Sequence, residues 1–259
     1  MIEFECRDVM DGLQSLKKSA VDLFVTSPPY NLGKDYGVCK DSLPHDEYLN
    51  WVYRWSRLSR EALKDTGSFF LNISGKPSEL WLPFDVAEQF RCAGWKLQNV
   101  IHWVKSIAIG EQTLGHYKPI NSGRYLNDAH EYLFHFSKTG ETPLNRTAIG
   151  VPYQDKSNLD RWKNAHSEGV HCRGNVWFIP YRTRQSRGIH PAEFPVELPE
   201  WSIRLQQKTS DEALVVCDPF CGTGATALAA ARCNCHCIGF DLNETYLQEA
   251  KRRLQSLYE

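Results

Sequence analysis

The chain has 259 residues, 42% hydrophobic and 24% charged, with a formal net charge of -1. That length holds one large α/β domain with an inserted lobe, or two modest domains, with residues enough for a full core. No apolar run approaches the roughly 18 residues of a membrane helix, and the near-neutral charge excludes a wholly basic nucleic-acid binder, so any such face must come from local segregation of charge. The acidic, strand-like start Met1-Ile2-Glu3-Phe4-Glu5 is unlike a signal or transit peptide, and a cytoplasmic protein with no membrane association is expected.

Hydrophobic periodicity predicts strands over 2–7, 21–26, 67–73, 97–104, 129–137, 213–217 and 235–240, with helical patterns between most of them. The clearest helix runs over 46–63, where Trp51, Trp55, Leu58 and Ala62 recur at helical spacing before the turn signal Asp65-Thr66-Gly67. A last helix over 244–257 carries Leu247, Ala250, Leu254 and Leu257 on one side. Alternating strands and helices imply a parallel sheet covered on both faces.

The stretch from Thr139 to Pro195 breaks this rhythm and reads as binding loops or a small lobe. Residues 146–187 hold eight Lys/Arg against three Asp/Glu, interleaved with Tyr153, Trp162, Trp177, Phe178 and Tyr181. Phosphate contact and base stacking want this mixture, and a solvated loop with some core aromatics is the alternative. Arg161, Lys163, Arg173 and Arg184 are the first candidates for nucleic-acid contact. Nine cysteines are mostly scattered, and Cys233-Asn234-Cys235-His236-Cys237 alternates into a strand rather than forming a paired metal knuckle, so packing cysteines and no metal site are expected.

Two segments carry chemistry. Thr26-Ser27-Pro28-Pro29-Tyr30 follows the strand Val21–Val25, and Asp218-Pro219-Phe220-Cys221-Gly222-Thr223-Gly224-Ala225-Thr226 follows the strand Ala213–Cys217 and opens a small-residue helix. The second has neither the Gly-Lys-Ser/Thr of a P-loop nor a full G-x-G-x-x-G, yet its glycines let backbone approach a nucleotide-like ligand closely. Asp241, ending the next strand, can accept hydrogen bonds from both ribose hydroxyls.

These motifs, with the tetrapeptide upstream of the glycine turn, resemble the beta group of amino-group DNA methyltransferases, which use S-adenosylmethionine to methylate the exocyclic amine of cytosine or adenine. The resemblance covers almost the whole chain except 140–175. It implies an α/β fold built on a seven-stranded, mostly parallel, Rossmann-like methyltransferase sheet, circularly permuted, with an inserted DNA-recognition lobe. The implied division is a catalytic half over 1–138, a recognition insert over 139–189 and a cofactor-binding half over 190–259. By the same resemblance Asp218, Phe220, Gly222, Thr223 and Gly224 surround the methionine part of the cofactor, and Asp8 contacts its adenine amine. His190 and Pro191, in His190-Pro191-Ala192-Glu193-Phe194-Pro195, help close the methionine pocket. Segments 99–105 and 130–136 look like the family's hairpin strands.

The exocyclic amine is a poor nucleophile because its lone pair is delocalised into the ring. Two acceptors can draw it toward tetrahedral geometry: the Ser27 hydroxyl oxygen and the Pro28 carbonyl, aimed by the rigid Pro28-Pro29 turn, while Tyr30 stacks on the flipped base. Cytosine C5 methylation is disfavoured because no Pro-Cys-Gln-like segment exists, and Cys221 is expected to pack within its loop. Ser27 stands where adenine-specific relatives more often carry Asp, which tilts the expectation to N4-cytosine methylation of double-stranded DNA. N6-adenine methylation is the runner-up; an RNA base methyltransferase and a non-catalytic binding module rank below it. A cognate restriction endonuclease and a homodimer are partners the resemblance allows.

Overall fold

The structure, a computed structural model, describes residues 1–35, 37, 41–115, 119–155, 157, 169–180, 193–207 and 212–259. In chain order these form β1 (Ile2–Cys6), α1 (Val9–Ser15), β2 (Val21–Thr26), α2 (His45–Ala62), β3 (Leu63–Ile73), α3 (Leu82–Cys92), β4 (Lys96–Val104), β5 (Ser106–Ile109), β6 (Gln112–Gly115) and β7 (His130–Ser137). There follow β8 (Val151–Pro152), β9 (Val170–His171), β10 (Val176–Phe178), α4 (Glu197–Gln206), β11 (Val215–Asp218), α5 (Ala225–Arg232), β12 (His236–Asp241) and α6 (Glu244–Gln255). Among the described residues no helix is long and apolar enough to cross a membrane.

Eight strands make one sheet in the order β1-β12-β11-β2-β3-β7-β4-β10. β7 runs antiparallel to both neighbours, and the remaining pairings are parallel. Seven strands are the expected ones. The eighth, β10, lies inside the stretch read as the recognition insert, and its three residues are too few for periodicity to show. It takes the free edge of β4 because Trp177 is 1% exposed, packed edge-on against Trp201 of α4 with ring centroids 5.5 Å apart. The β5–β6 hairpin was also not expected from the sequence.

Alternation along the central strands sorts side chains to two faces. Phe24, Phe69, Leu71, Phe134 and Phe136 meet α2 and α3 through Val52, Trp55, Val86 and Phe90 on one side. Leu23, Val25, Phe70 and Val216 meet α4 and α5 through Leu198, Ile203, Ala227 and Ala230 on the other. The buried line of α2 is Tyr48, Val52, Trp55, Ser56, Ser59 and Ala62, displaced by part of a turn from the expected stripe, with Trp51 and Leu58 only partly covered. The expected turn at Asp65-Thr66-Gly67 is instead a bulge in β3: pairing moves from Val21↔Leu63 to Leu23↔Ser68, and a Cβ at Gly67 would lie 2.7 Å from the Asp22 carbonyl. Cys235 and Cys237 are buried in the second core.

The topology fixes where a ligand can sit. The chain leaves β2 toward β3 and leaves β11 toward β12, so the loops after these adjacent parallel strands diverge and open a crevice at their carboxyl ends. In open α/β sheets such a switch point is the binding site.

Candidate active site

Both motifs sit at this crevice, Ser27–Tyr30 after β2 and Asp218–Gly224 after β11. Asp218 joins them. Its Oδ1 accepts from Thr26 Oγ1 at 2.6 Å and from the Phe220 amide at 3.1 Å, and its Oδ2 accepts from Thr226 Oγ1 at 2.6 Å. The residue is 1% exposed, and burial outweighs these bonds, pushing the carboxyl up to about 6. The carboxylate therefore braces the two loops from inside the fold.

The glycine loop is shaped by backbone that side chains would obstruct. Gly222 and Gly224 have φ of 48° and 82°, and a Cβ on Gly224 would stand 2.8 Å from Ala250 Cβ of α6. Phe220 lays its ring edge-on against Trp51 and Trp55, each 5.4 Å away between centroids. Thr223 is held by α6: its hydroxyl and carbonyl accept from Arg253 Nη1 at 2.9 and 2.8 Å, and the same nitrogen bonds Glu193. Glu193 belongs to the segment expected to close the methionine pocket, so this end of it reaches the loop, while His190 and Pro191 lie outside the described residues. Cys221 is buried against Gly239, and burial holds its thiol far above the ordinary range, so it packs and does not react.

Acceptors line the neighbouring strand ends. Asp241 Oδ2 accepts from the Gly222 amide and Oδ1 from the Asn243 amide, each at 2.8 Å, and burial raises its carboxyl above the ordinary value. The Leu242 amide bonds the same carboxylate, which still has acceptor capacity for a further donor. Asp8 caps α1, its Oδ1 accepting from Met10 N at 2.8 Å, two residues past the end of the β1 strand that pairs Cys6 with Asp241. The expected methyl donor carries a ribose diol, an adenine amine and a sulfonium charge. A row of carboxylates beside a glycine loop of low steric demand fits such a group.

At the turn after β2, Pro28 is buried, and the Pro29 carbonyl accepts from Tyr48 O–H at 2.8 Å, which fixes the turn to α2. Ser27 Oγ and the Tyr30 hydroxyl are 2.7 Å apart. Tyr30 has one proton, and it faces two oxygens that can only accept, Glu131 Oε2 at 3.2 Å and the Asn72 carbonyl at 3.3 Å. When Tyr30 donates to either of them it accepts from Ser27, and a Ser27 hydroxyl that donates to Tyr30 keeps its own lone pairs for a further donor. Asn72 Nδ2 donates to both Tyr30 Oη and Glu131 Oε2 at 2.7 Å, and Lys105 Nζ donates to Glu131 Oε1 at 3.1 Å.

The loop beyond is closed by Asp41, 5% exposed, whose carboxylate accepts from the amides of Asn31, Leu32 and Lys34 at 2.6, 3.0 and 3.3 Å. Burial nonetheless raises its carboxyl above the ordinary value. Asn31 sits at φ 58°, allowed there because its side chain bonds Leu43 in both directions.

Asn72, Lys105, Glu131 and Asp41 were not among the expected site residues. Glu131 left one legible signal, the one carboxylate in the strand 130–137. Of the nucleic-acid candidates, Arg161, Lys163 and Arg184 lie outside the described residues. Arg173 is engaged within the fold: its Nε donates to the Ile149 carbonyl at 2.9 Å and its guanidinium lies 4.3 Å from the Trp201 ring centroid. It attaches the insert to α4.

Comparison with known proteins gives a consistent picture. The family described as DNA methylase matches residues 21–252. The Type II methyltransferase M.HpaI of Haemophilus parainfluenzae is 29% identical over 251 residues, covering 97% of this chain and 73% of that protein. Among solved structures, a DNA modification methylase of Thermus thermophilus in complex with S-adenosyl-L-methionine is 25% identical with a TM-score of 0.66, covering 99% of this chain and 94% of the other. The cytosine-N4-specific PvuII DNA methyltransferase shares the fold with a TM-score of 0.70 at 21% identity, covering 96% of this chain and 85% of the other.

Proposed function

The chain belongs to the DNA methylase family of S-adenosylmethionine-dependent N4/N6 amino methyltransferases, and from that premise we propose that it methylates the exocyclic N4 amine of cytosine in double-stranded DNA. The observation that carries the cytosine reading is the hydroxyl at the first position of the turn, Ser27, hydrogen-bonded to Tyr30 at 2.7 Å. Bound S-adenosylmethionine supplies an electrophilic methyl group. The chain's own residues supply the rest. Ser27 Oγ and the Pro28 carbonyl accept the two amine N–H groups and localise the nitrogen lone pair, while the Tyr30 ring packs on the flipped base. Asp241 and the Gly222–Gly224 backbone hold the donor beside them, with Asp8 at its adenine and Phe220 at its methionine end. No covalent bond between protein and base is required.

The same reading assigns 1–138 to base handling, 139–189 to DNA recognition and 190–259 to donor binding. Arg161, Lys163 and Arg184 then remain the candidates for DNA contact, while the bonds made by Arg173 support a bracing role. The test is to incubate duplex DNA with the protein and methyl-labelled donor, then digest to nucleosides. Label in N4-methylcytosine is expected. Label in N6-methyladenine moves the assignment to the runner-up, and an unlabelled DNA pool contradicts both.

A further inference from the structure

We propose that Glu131 is the terminal acceptor of the proton that the target amine must lose, reached from the base through Ser27 and Tyr30. The inference rests on the amino-methylation reading above and adds a residue to it. An exocyclic amine that gains a methyl group carries one proton too many. An aspartate at the first position of the turn could take that proton itself. A serine hydroxyl can take it only by giving up its own.

The structure supplies the continuation. Ser27 Oγ lies 2.7 Å from Tyr30 Oη, which lies 3.2 Å from Glu131 Oε2. Tyr30 faces carboxylate and carbonyl oxygens that can only accept, so the arrangement in which Ser27 donates to Tyr30 and Tyr30 to Glu131 satisfies every partner and orders the donors for transfer in this direction. Asn72, 1% exposed, donates to both Tyr30 Oη and Glu131 Oε2, which fixes their spacing from behind. Lys105 holds the other carboxylate oxygen in an ion pair of 3.1 Å. In the proposed step the amine N–H bond breaks as an O–H bond forms on Ser27. The original Ser27 proton passes to the Tyr30 oxygen, and the Tyr30 proton passes to Glu131 Oε2. The nitrogen loses its positive charge and Glu131 becomes a neutral acid, so charge and atoms balance. The Glu131 side chain keeps 16% of its surface exposed, which gives the proton an exit to solvent.

The test compares single-turnover methyl transfer in the wild-type chain, Glu131→Gln, Tyr30→Phe and the double variant, at saturating donor and DNA. Glutamine keeps the length and an acceptor oxygen but cannot take the proton. Each single variant is expected to slow the chemical step by about a hundredfold, the size of a general-base contribution. The double variant should be no more than about twofold slower than Glu131→Gln, because groups on one path act as a unit. Binding of S-adenosylhomocysteine and DNA, and the unfolding temperature, should not change. Glu131→Asp, which keeps an ionisable carboxyl, should recover part of the rate. Wild-type rates in Glu131→Gln, multiplicative losses in the double variant, or losses explained by weaker binding or a lower unfolding temperature would each overturn the relay while leaving amino-methylation standing. A wild-type chain that labels no base amine overturns both.

Discussion

Thr26 and Asp218 stand 192 residues apart in the chain, and a 2.6 Å hydrogen bond joins Thr26 Oγ1 to Asp218 Oδ1. It ties the end of β2 to the end of β11 at the point where their loops part. The carboxylate that receives it is fully buried and takes three donors in all, from Thr26, Thr226 and Phe220. The turn after β2 and the glycine loop after β11 are thus built on one internal brace.

Thr26→Val, nearly the same shape without the hydroxyl, should lower the unfolding free energy by roughly 1–3 kcal/mol, the cost of leaving a buried charged acceptor short of a donor. Denaturant titration checks this. A change below about 0.5 kcal/mol would mean the bond holds little.

Two buried groups should give opposite pH slopes. Burial pushes Asp218 up to about 6 from 3.8, so the stabilising contribution of its proton is complete below about pH 4 and is lost as pH rises through about 6. His135, stacked on Phe70 and bonded to Asn99 and Ser68, is pushed down to about 3 from 6.5 by burial. Its neutral form contributes fully above about pH 6.5, and that contribution is lost as pH falls toward about 3. The wild-type minus Asp218→Asn unfolding free energy should therefore fall between about pH 4 and 7, and the wild-type minus His135→Gln value should rise, each by on the order of 3 kcal/mol. Slopes of the same sign would contradict these environments.

Gly224→Ala combines a left-handed backbone with a Cβ placed 2.8 Å from Ala250 Cβ. The loss should be about 2–4 kcal/mol, from roughly 1–2 for the backbone and the rest from overpacking. Adding Ala250→Gly should return the packing part only. Full recovery in the double variant, or none, would contradict that division.

The sheet was legible because its strands carry their own periodicity. β2 falls at 21–26 as expected, and the remaining long strands fall within a few residues of their expected places, because buried central strands are short apolar runs bounded by turns. The glycine loop and Asp241 were equally legible, since positive φ and strand-end carboxylates are local demands. The brace through Asp218 was not, because it depends on two threonines brought together by β2–β11 pairing. Nor was the chain from Ser27 to Lys105, which assembles residues from the β2 loop, β3, β7 and the end of β4. Arg173 shows the converse: its charge suggested a ligand contact, and a neighbouring tryptophan and carbonyl use it for packing.

Asp241→Ala should weaken S-adenosylhomocysteine binding by about 10- to 100-fold, the loss of one charge-assisted hydrogen bond or a little more at about 1.5–3 kcal/mol each. Calorimetric titration reads it directly. Unchanged affinity would move the ribose away from the end of β12.

The most direct test of the central claim, that the turn after β2 activates the base amine beside a donor held after β11, is the single-turnover methyl-transfer rate of Ser27→Ala at saturating donor and DNA. The account predicts a fall of at least about a hundredfold with S-adenosylhomocysteine affinity retained, because Ser27 faces the base and the donor rests on Asp241 and the glycine loop. A Ser27→Ala protein that transfers methyl groups at the wild-type rate would contradict it.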